Sequence, residues 1–258
     1  MVISHDKDKQ KTGTQYRELL YGNYFSSQGF TASSLEETLN HRKYYNNYFL
    51  KRFLPEDKNI KILDLGCGYG AILISLQDLG YSNFTGVDSW ESIQLLKATQ
   101  LENRVVEADI ITFLEKSVEE GEKWDVILAI DVLEHFTKDE LVYILPLLRQ
   151  LVSISGRLII KIPNAQSPTL AGTVTFGDFT HETHFTPGSL TQVLKSCNFM
   201  NVKAYEAHPV PHTIVSSIRY YLWNVIRLLH TFLYAVETGV VDNSMVWSYS
   251  FFAVARND

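Results

Sequence analysis

The chain is poor in cysteine, in positive charge and in unbroken apolar runs. Its two cysteines, Cys67 and Cys197, lie far apart without metal-ligand spacing, which excludes a disulfide framework and indicates a reduced, cytoplasmic setting. The formal net charge of -6 over 258 residues provides no broad basic face, so no nucleic-acid partner is expected. The most apolar late stretch, residues 214–241, is interrupted by Arg219 and Arg227 and therefore predicts no membrane span.

Three regions follow one another along the chain. Residues 1–14 are polar and lysine-rich without an apolar centre, which predicts a disordered tail rather than a signal peptide. Residues 15–56, whose aromatic-rich helical stretch ends before Pro55, are expected to form an N-terminal helical cap. Residues 57–258 are expected to form the core, with a helical insertion at 212–238.

The core region alternates apolar runs with helical patterns. Residues 124–130 and 158–162 are nearly continuous apolar runs, which are typical of parallel strands buried on both faces. This alternation predicts an α/β fold, in which a mostly parallel sheet lies between helices and the loops after the strands gather along one edge. Ligands bind at that edge in open sheets of this kind.

A glycine-rich turn is the most informative motif of the core. Residues 64–70 (DLGCGYG) follow a strand pattern and precede a helical one, and glycines at such a junction let a ligand approach the backbone closely. With Asp88 about twenty residues further on, the turn also fits the dinucleotide fingerprint of nicotinamide-dependent oxidoreductases. Asp64, just before the first glycine, opposes a pyrophosphate and favours a cationic ligand.

Further carboxylates follow the later strands of the pattern. Asp109 comes after the next, weak strand, and Asp131 and Glu134 come after the apolar run at 124–130. A ring of carboxylates suits a ligand with hydroxyls, an exocyclic amine and a positive charge. On these motifs, residues 60–161 resemble the class I S-adenosylmethionine-dependent methyltransferases.

The resemblance implies a Rossmann-like, seven-stranded sheet with an antiparallel seventh strand, and S-adenosylmethionine as the cofactor. It also implies which residues contact the cofactor: Asp64, Gly66, Cys67, Gly68, Asp88, Ser89, Asp109, Ile110, Ile130, Asp131, Tyr24 and Arg42. Among them, Asp88 is expected to hold the ribose hydroxyls and Asp109 the adenine amine. Tyr24 is expected to face the sulfonium, and Arg42 to pair with the carboxylate of the cofactor.

Simpler roles stay open for several of these residues. Asp109 is equally suited to cap the helical pattern that begins at Ile110. Tyr24 lies among other aromatic residues that can pack in a core, and Arg42 can lie on a solvated helix face. Cys67 is a small residue that fills the turn, and nothing indicates a nucleophile.

Histidines in the loop after the fifth strand are candidates for proton transfer. Methyl transfer to a hydroxyl is helped by a base, and His181 or His184 is suited to that role, with His135 as a third candidate. Alternatively, the loop histidines only brace the helix that begins after Thr186. Four side chains of this loop are also potential metal ligands: Asp178, His181, Glu182 and His184. Their spacing differs from that of a zincin helix, so no metal is expected.

The whole chain is similar to bacterial methyltransferases associated with glycan synthesis, a similarity that implies O-methylation of a sugar or another small hydroxyl acceptor. A small-molecule N-methyltransferase, a nicotinamide-dependent oxidoreductase and a catalytically dead methyltransferase fold are the alternatives. The amphipathic stretch at 214–236 predicts a substrate lid or a homodimer contact, and a membrane-surface contact is the alternative.

Overall fold

The computed structural model describes residues 19–20, 32–89, 96, 100–242 and 244–257, with side chains from residue 43 onward in the long first helix. Contacts divide the chain into two units, Met1–Arg42 and Lys43–Asp258. The sheet and the candidate site both belong to the second unit. The predicted tail lies outside the described residues, and the predicted domain bounds stay predictions.

In the described part of the chain, seven strands form one sheet. They are β1 (Ile62–Leu65), β2 (Phe84–Asp88), β3 (Val105–Glu107), β4 (Trp124–Ile130), β5 (Val152–Pro163), β6 (Met200–Glu206) and β7 (Ser250–Arg256). Their order across the sheet is β3-β2-β1-β4-β5-β7-β6. The strands from β3 to β5 pair in parallel, whereas β7 runs antiparallel to both β5 and β6. The predicted mostly parallel sheet with an antiparallel seventh strand is confirmed.

Helices connect the strands and cover the sheet. The described helices of at least six residues are α1 (Ala32–Phe53), α2 (Ala71–Asp78), α3 (Ile110–Glu119), α4 (Lys138–Leu151), α5 (Ala171–Phe176), α6 (Pro187–Ser196) and α7 (Ile214–Thr238). Thr137 and Thr186 begin α4 and α6 with capping boxes, because each hydroxyl accepts a backbone N–H that the first helical turn leaves unpaired. Across the described residues, no helix has the length and apolarity that a membrane crossing needs.

Side chains of the central strands alternate between two apolar layers, as the period of a strand requires. Leu63 and Ile127 belong to the layer that contains residues of α3, α4 and α6. Ile62 and Leu128 belong to the opposite layer, which contains residues of α1 and α2. Because both faces are buried, the functional groups are left to the edge of the sheet at which β1, β2, β3, β4 and β5 end.

Candidate active site

The glycine turn joins β1 to α2 with a left-handed backbone. Gly66 has φ 64° and Gly68 has φ 51°, values that a side chain at Cβ makes costly. A Cβ added at Gly66 would lie 2.4 Å from Cγ2 of Val132, whereas no atom of the described residues lies within 4 Å of one added at Gly68. The turn is therefore packed on one side and open over its middle, as close approach of a ligand to the backbone requires.

Asp88, at the end of β2, is bonded directly to this turn. Its Oδ2 accepts a hydrogen bond from the Gly68 N–H at 2.6 Å. Its Oδ1 accepts from the Ser89 N–H at 2.7 Å and from the Ser89 hydroxyl at 3.3 Å. Asp88, which is expected at the ribose, is thus bonded both to Ser89 and to the glycine turn.

Asp64, at the other side of the turn, is a buried carboxylate. It is 1% exposed, and its Oδ2 has no hydrogen-bond partner among the described residues. Burial, followed by repulsion from Asp88, raises the pKa of the Asp64 carboxyl well above its ordinary value. Leaving such an oxygen without a donor is unfavourable, and a cationic group over the turn would compensate for it. The site therefore fits S-adenosylmethionine, which carries an ammonium group and a sulfonium.

Three other predicted contacts have local roles. Asp109 caps α3, because its Oδ1 accepts a hydrogen bond from the Thr112 N–H at 3.0 Å. Ile110 is half-buried beside it. Cys67 is buried, and burial raises the pKa of its thiol, so it packs as a small apolar residue. The adenine contact expected of Asp109 stays a prediction.

At the end of β4, half-buried Ile130 is followed by Asp131, which pairs with a residue that the sequence motifs did not indicate. Nζ of Lys161 lies 2.7 Å and 2.6 Å from the two carboxylate oxygens of Asp131. Asp131 has φ 56°, a backbone conformation that non-glycine residues adopt rarely and that aspartate tolerates better than most. Lys161 stands alone as a charge within the apolar run at 158–162, and that interruption was the available signal.

Beyond β4 and β5, two histidine rings meet edge to face. The ring centroids of His135 and His181 are 4.9 Å apart. Nδ1 of His135 lies 2.9 Å from the Thr180 hydroxyl, which donates to Oδ1 of Asp178 at 2.6 Å. Because the hydroxyl proton goes to Asp178, Nδ1 of His135 donates to that hydroxyl, and Nε2 is the basic nitrogen.

The three candidate histidines differ in their surroundings. Burial, followed by the electrostatic influence of His181, lowers the pKa of His135 below its ordinary value, which favours the uncharged imidazole. His184 is exposed, and its ring packs against Phe176 with centroids 4.7 Å apart. Burial, followed by His181, lowers the pKa of His184 as well. Contact with a second histidine therefore distinguishes His135 and His181 from His184.

Glu134, which directly precedes His135 in the loop after β4, has a buried side chain. It is 2% exposed, and within the residues that the structure describes neither carboxylate oxygen has a hydrogen-bond partner. Burial, followed by the charge of Asp131, raises the pKa of Glu134 well above its ordinary value. Its main-chain oxygen accepts hydrogen bonds from the N–H groups of Glu182 and Thr183 at 2.8 Å and 3.0 Å. These bonds join the loop after β4 to the loop that carries His181.

Two predicted cofactor contacts are not placed by the structure. Tyr24 lies outside the described residues, and for Arg42 only the helical backbone is described. The contacts that the structure brings together are those of the glycine turn and the ends of β2 and β4.

Comparison with known proteins assigns the chain to a family. A family model described as "Methyltransferase domain" matches residues 39–204, which is more than half of the chain. The chain belongs to this methyltransferase family. The predicted class I S-adenosylmethionine-dependent methyltransferase family and its cofactor are thereby confirmed.

Two curated relatives of this methyltransferase are each named ubiquinone biosynthesis O-methyltransferase. The protein of Bartonella tribocorum is 37% identical over 83 residues, which cover 32% of this chain and 33% of the relative. The protein of Rickettsia conorii is 32% identical over 127 residues, which cover 46% of this chain and 42% of the relative. The methyltransferase thus spans less than half the length of each of these relatives.

A solved structure shares the fold of this methyltransferase over most of its length. It is a SAM-dependent methyltransferase from Archaeoglobus fulgidus, 21% identical, with a TM-score of 0.61 over 88% of this chain and 99% of the other. The similarity in fold covers more of the chain than residues 60–161, which carried the sequence motifs.

Proposed function

We propose that this methyltransferase transfers a methyl group from S-adenosylmethionine to an oxygen of a small hydroxyl acceptor, with sugar hydroxyls as the first class to test. One observation supports an oxygen acceptor: the ring of His135 contacts the ring of His181 at the edge of the sheet where β1 to β5 end. Thr180 fixes the tautomer of His135, and the pKa of His135 is lowered. An alcohol must lose a proton as it is methylated, and a neutral imidazole is suited to take it. The names of the two curated relatives support an oxygen acceptor.

The residues of the chain divide the work between binding and proton transfer. When bound, the cofactor supplies an activated methyl group and its own leaving group, so the protein mainly positions the acceptor and removes its proton. Asp64 and Asp88 would hold the ammonium group and the ribose. The acceptor proton would pass to Nε2 of His135, while Thr180 and Asp178 keep the ring in place and stabilise its positive charge.

The experiment has two stages on one protein preparation. The first stage is calorimetric titration with S-adenosylhomocysteine and, in parallel, with NAD. Asp88→Ala is expected to lower the affinity for S-adenosylhomocysteine at least tenfold. Asp139→Ala, an exposed acid in the first turn of α4, is the matched control and should bind normally. Tight binding of NAD instead would support the oxidoreductase alternative and contradict the proposal.

The second stage identifies the acceptor atom. Sugars, phenols and amines are incubated with the cofactor, and mass spectrometry locates the methyl group in the product. His135→Ala is expected to lower kcat by about 10²–10⁴ for a hydroxyl acceptor, because the base is lost. A product methylated on nitrogen, at a rate that His135→Ala leaves intact, would overturn the oxygen assignment while keeping the methyltransferase.

A further inference from the structure

Glu134, His135 and His181 form a cluster that proton transfer does not fully explain. One potential ligand atom from each residue lies within 4.8 Å of the other two. Both carboxylate oxygens of Glu134 are buried, and no residue in the described part of the chain forms a hydrogen bond with them, although a base at His135 has no need of them. A buried carboxylate in this state is unfavourable, and a cation between it and the imidazoles is the partner that the cluster lacks.

We propose that these three side chains bind a divalent transition-metal ion. Two imidazoles and one carboxylate form the ligand set of many catalytic zinc and non-haem iron sites, in which a further coordination position stays open. Bonds of about 2.0–2.2 Å allow two ligand atoms to lie at most about 4.4 Å apart. The present limit of 4.8 Å therefore requires the side chains to close by at least roughly 0.4 Å, which rotamer adjustments supply.

The hydrogen bonds of both histidines match those of metal ligands. Nδ1 of His135 lies 3.3 Å from the Thr180 carbonyl oxygen and 2.9 Å from its hydroxyl. Nδ1 of His181 lies 3.3 Å from the Thr175 carbonyl oxygen. A histidine that binds metal through one ring nitrogen commonly donates the other to a carbonyl, which fixes the tautomer and the ring orientation. Both rings would accordingly present Nε2 to the ion.

The backbone holds the two contributing segments at a fixed separation. The Glu134 carbonyl oxygen accepts from the N–H groups of Glu182 and Thr183, and the Thr183 hydroxyl donates to the Phe136 carbonyl oxygen at 2.8 Å. The ligands on the loop after β4 and on the loop before α6 are thus positioned by secondary contacts before any ion binds. Such support is what a metal site needs in order to be preorganised.

This cluster differs from the set of ligands considered from sequence alone. That set lay within one loop, at 178–184, and its spacing predicted no metal. The cluster instead takes Glu134 and His135 from a segment more than forty positions earlier, which no local spacing rule relates to His181. An ion there would lie at the edge of the sheet where the acceptor is expected, and a hydroxyl bound to it would lose its proton more easily. Because Nε2 of His135 would then be bound to the ion, the proton would pass to solvent, and the ion would replace the free imidazole in promoting its loss.

The inference does not rest on the proposed function, because ion binding is measured with neither cofactor nor acceptor. Protein without an affinity tag is treated with a chelator and titrated with Co²⁺, followed by visible absorption, and with Zn²⁺, followed by calorimetry. We expect saturable binding of a single ion. Glu134→Gln and His181→Ala should each weaken it at least tenfold, since each removes one of three ligands.

His184→Ala is the matched control, because it removes a histidine from the same loop but outside the cluster; its metal affinity should equal that of the parent chain. Circular dichroism and S-adenosylhomocysteine titration on the same samples show whether each variant is folded. Absence of saturable binding by a folded parent, or equal affinity in all three variants, would overturn the metal site. The proposed function would then stand with His135 as the base.

Discussion

Three carboxylates at the carboxyl edge of the sheet differ in how their charge is balanced. Asp131 pairs through both oxygens with Lys161. Asp64 and Glu134 are almost completely buried and have oxygens without hydrogen-bond donors. In both, burial is the main cause of a raised pKa. Ionisation of either carboxyl therefore lowers the free energy of unfolding, and binding of a positive group beside the ionised carboxylate raises it again.

Asp64→Asn is predicted to trade binding for stability in a pH-dependent way. The folded pKa of Asp64 is raised above 3.8, so the folded chain keeps this proton at pH values where the unfolded chain has released it. The contribution of this proton to the stability of the folded chain is fully present below the pKa of Asp64 in the unfolded chain. It is lost as the pH rises through the pKa of Asp64 in the folded chain. Asparagine cannot ionise, so the variant should gain in unfolding temperature relative to the parent as the pH rises above about 4.

Thermal unfolding of both proteins across that range measures the effect. S-adenosylhomocysteine binding should be weakened in Asp64→Asn most strongly at the upper end of the pH range, where the parent carboxyl is ionised, because the amide offers the ammonium group no charge. An unfolding-temperature difference that does not change with pH would show that Asp64 titrates normally in the folded chain.

At the scale of elements, the turn between β1 and α2 depends on glycine for two separate reasons. Gly66 combines a left-handed φ with contact to Val132, whereas Gly68 has the left-handed φ alone. Gly66→Ala is predicted to lower the free energy of unfolding by about 2–4 kcal/mol, from backbone strain together with overpacking. Gly68→Ala is predicted to cost about 1–2 kcal/mol, from strain only.

Denaturant unfolding of the two variants, and of Gly66→Ala combined with Val132→Ala, separates the two contributions. The double variant should recover part of the loss, because the smaller side chain removes the contact with the new methyl group. Equal costs for the two glycine variants would mean that Val132 moves aside without a penalty.

Element bounds were predictable where the signal is local. The starts of α4 and α6 follow from Thr137 and Thr186, whose caps involve residues three positions on. In contrast, the apolar run predicts β5 only over 158–162, whereas the strand begins at Val152. Those extra residues are ordered by long-range partners, such as Trp124 for Val152, and no local pattern reveals them.

The same distinction applies to the site. Asp64 and Asp88 were identified because a contiguous motif and a fixed interval indicate them. The partner of Asp131, and the contact of His135 with His181, each join segments that the fold brings together. Local sequence therefore indicated the cofactor side of the site more fully than the acceptor side.

At the scale of the whole molecule, α7 is unusual because its buried residues are polar. Ser216 and Thr231 are buried, and the Thr231 hydroxyl accepts a hydrogen bond from the Trp247 indole at 3.0 Å. Large apolar side chains along the helix are exposed, among them Leu222 and Leu229 at 57% and 52%. An apolar surface of this kind is typical of interaction sites, and the homodimer contact expected there stays a prediction.

Sedimentation velocity tests that prediction. If α7 forms the contact, the parent chain should sediment as a dimer, and Leu222→Glu combined with Leu229→Glu should sediment as a monomer, because charges would be buried without partners. S-adenosylhomocysteine binding provides the folding control. A monomeric parent that sediments with anionic lipid vesicles would favour the membrane-surface alternative instead.

The position of β7 has a consequence for how the chain reaches its native state. Leu158 of β5 pairs with Ala255 of β7, so two adjacent strands of the sheet are roughly a hundred residues apart in the sequence. Such a separation between paired strands slows folding. While the chain emerges from a ribosome, β1 to β5 can associate, but one side of β5 keeps unpaired N–H and C=O groups until the last strand arrives. During that interval the nascent chain exposes an open sheet edge, and its synthesis should depend on chaperones more strongly than the stability of the finished fold suggests.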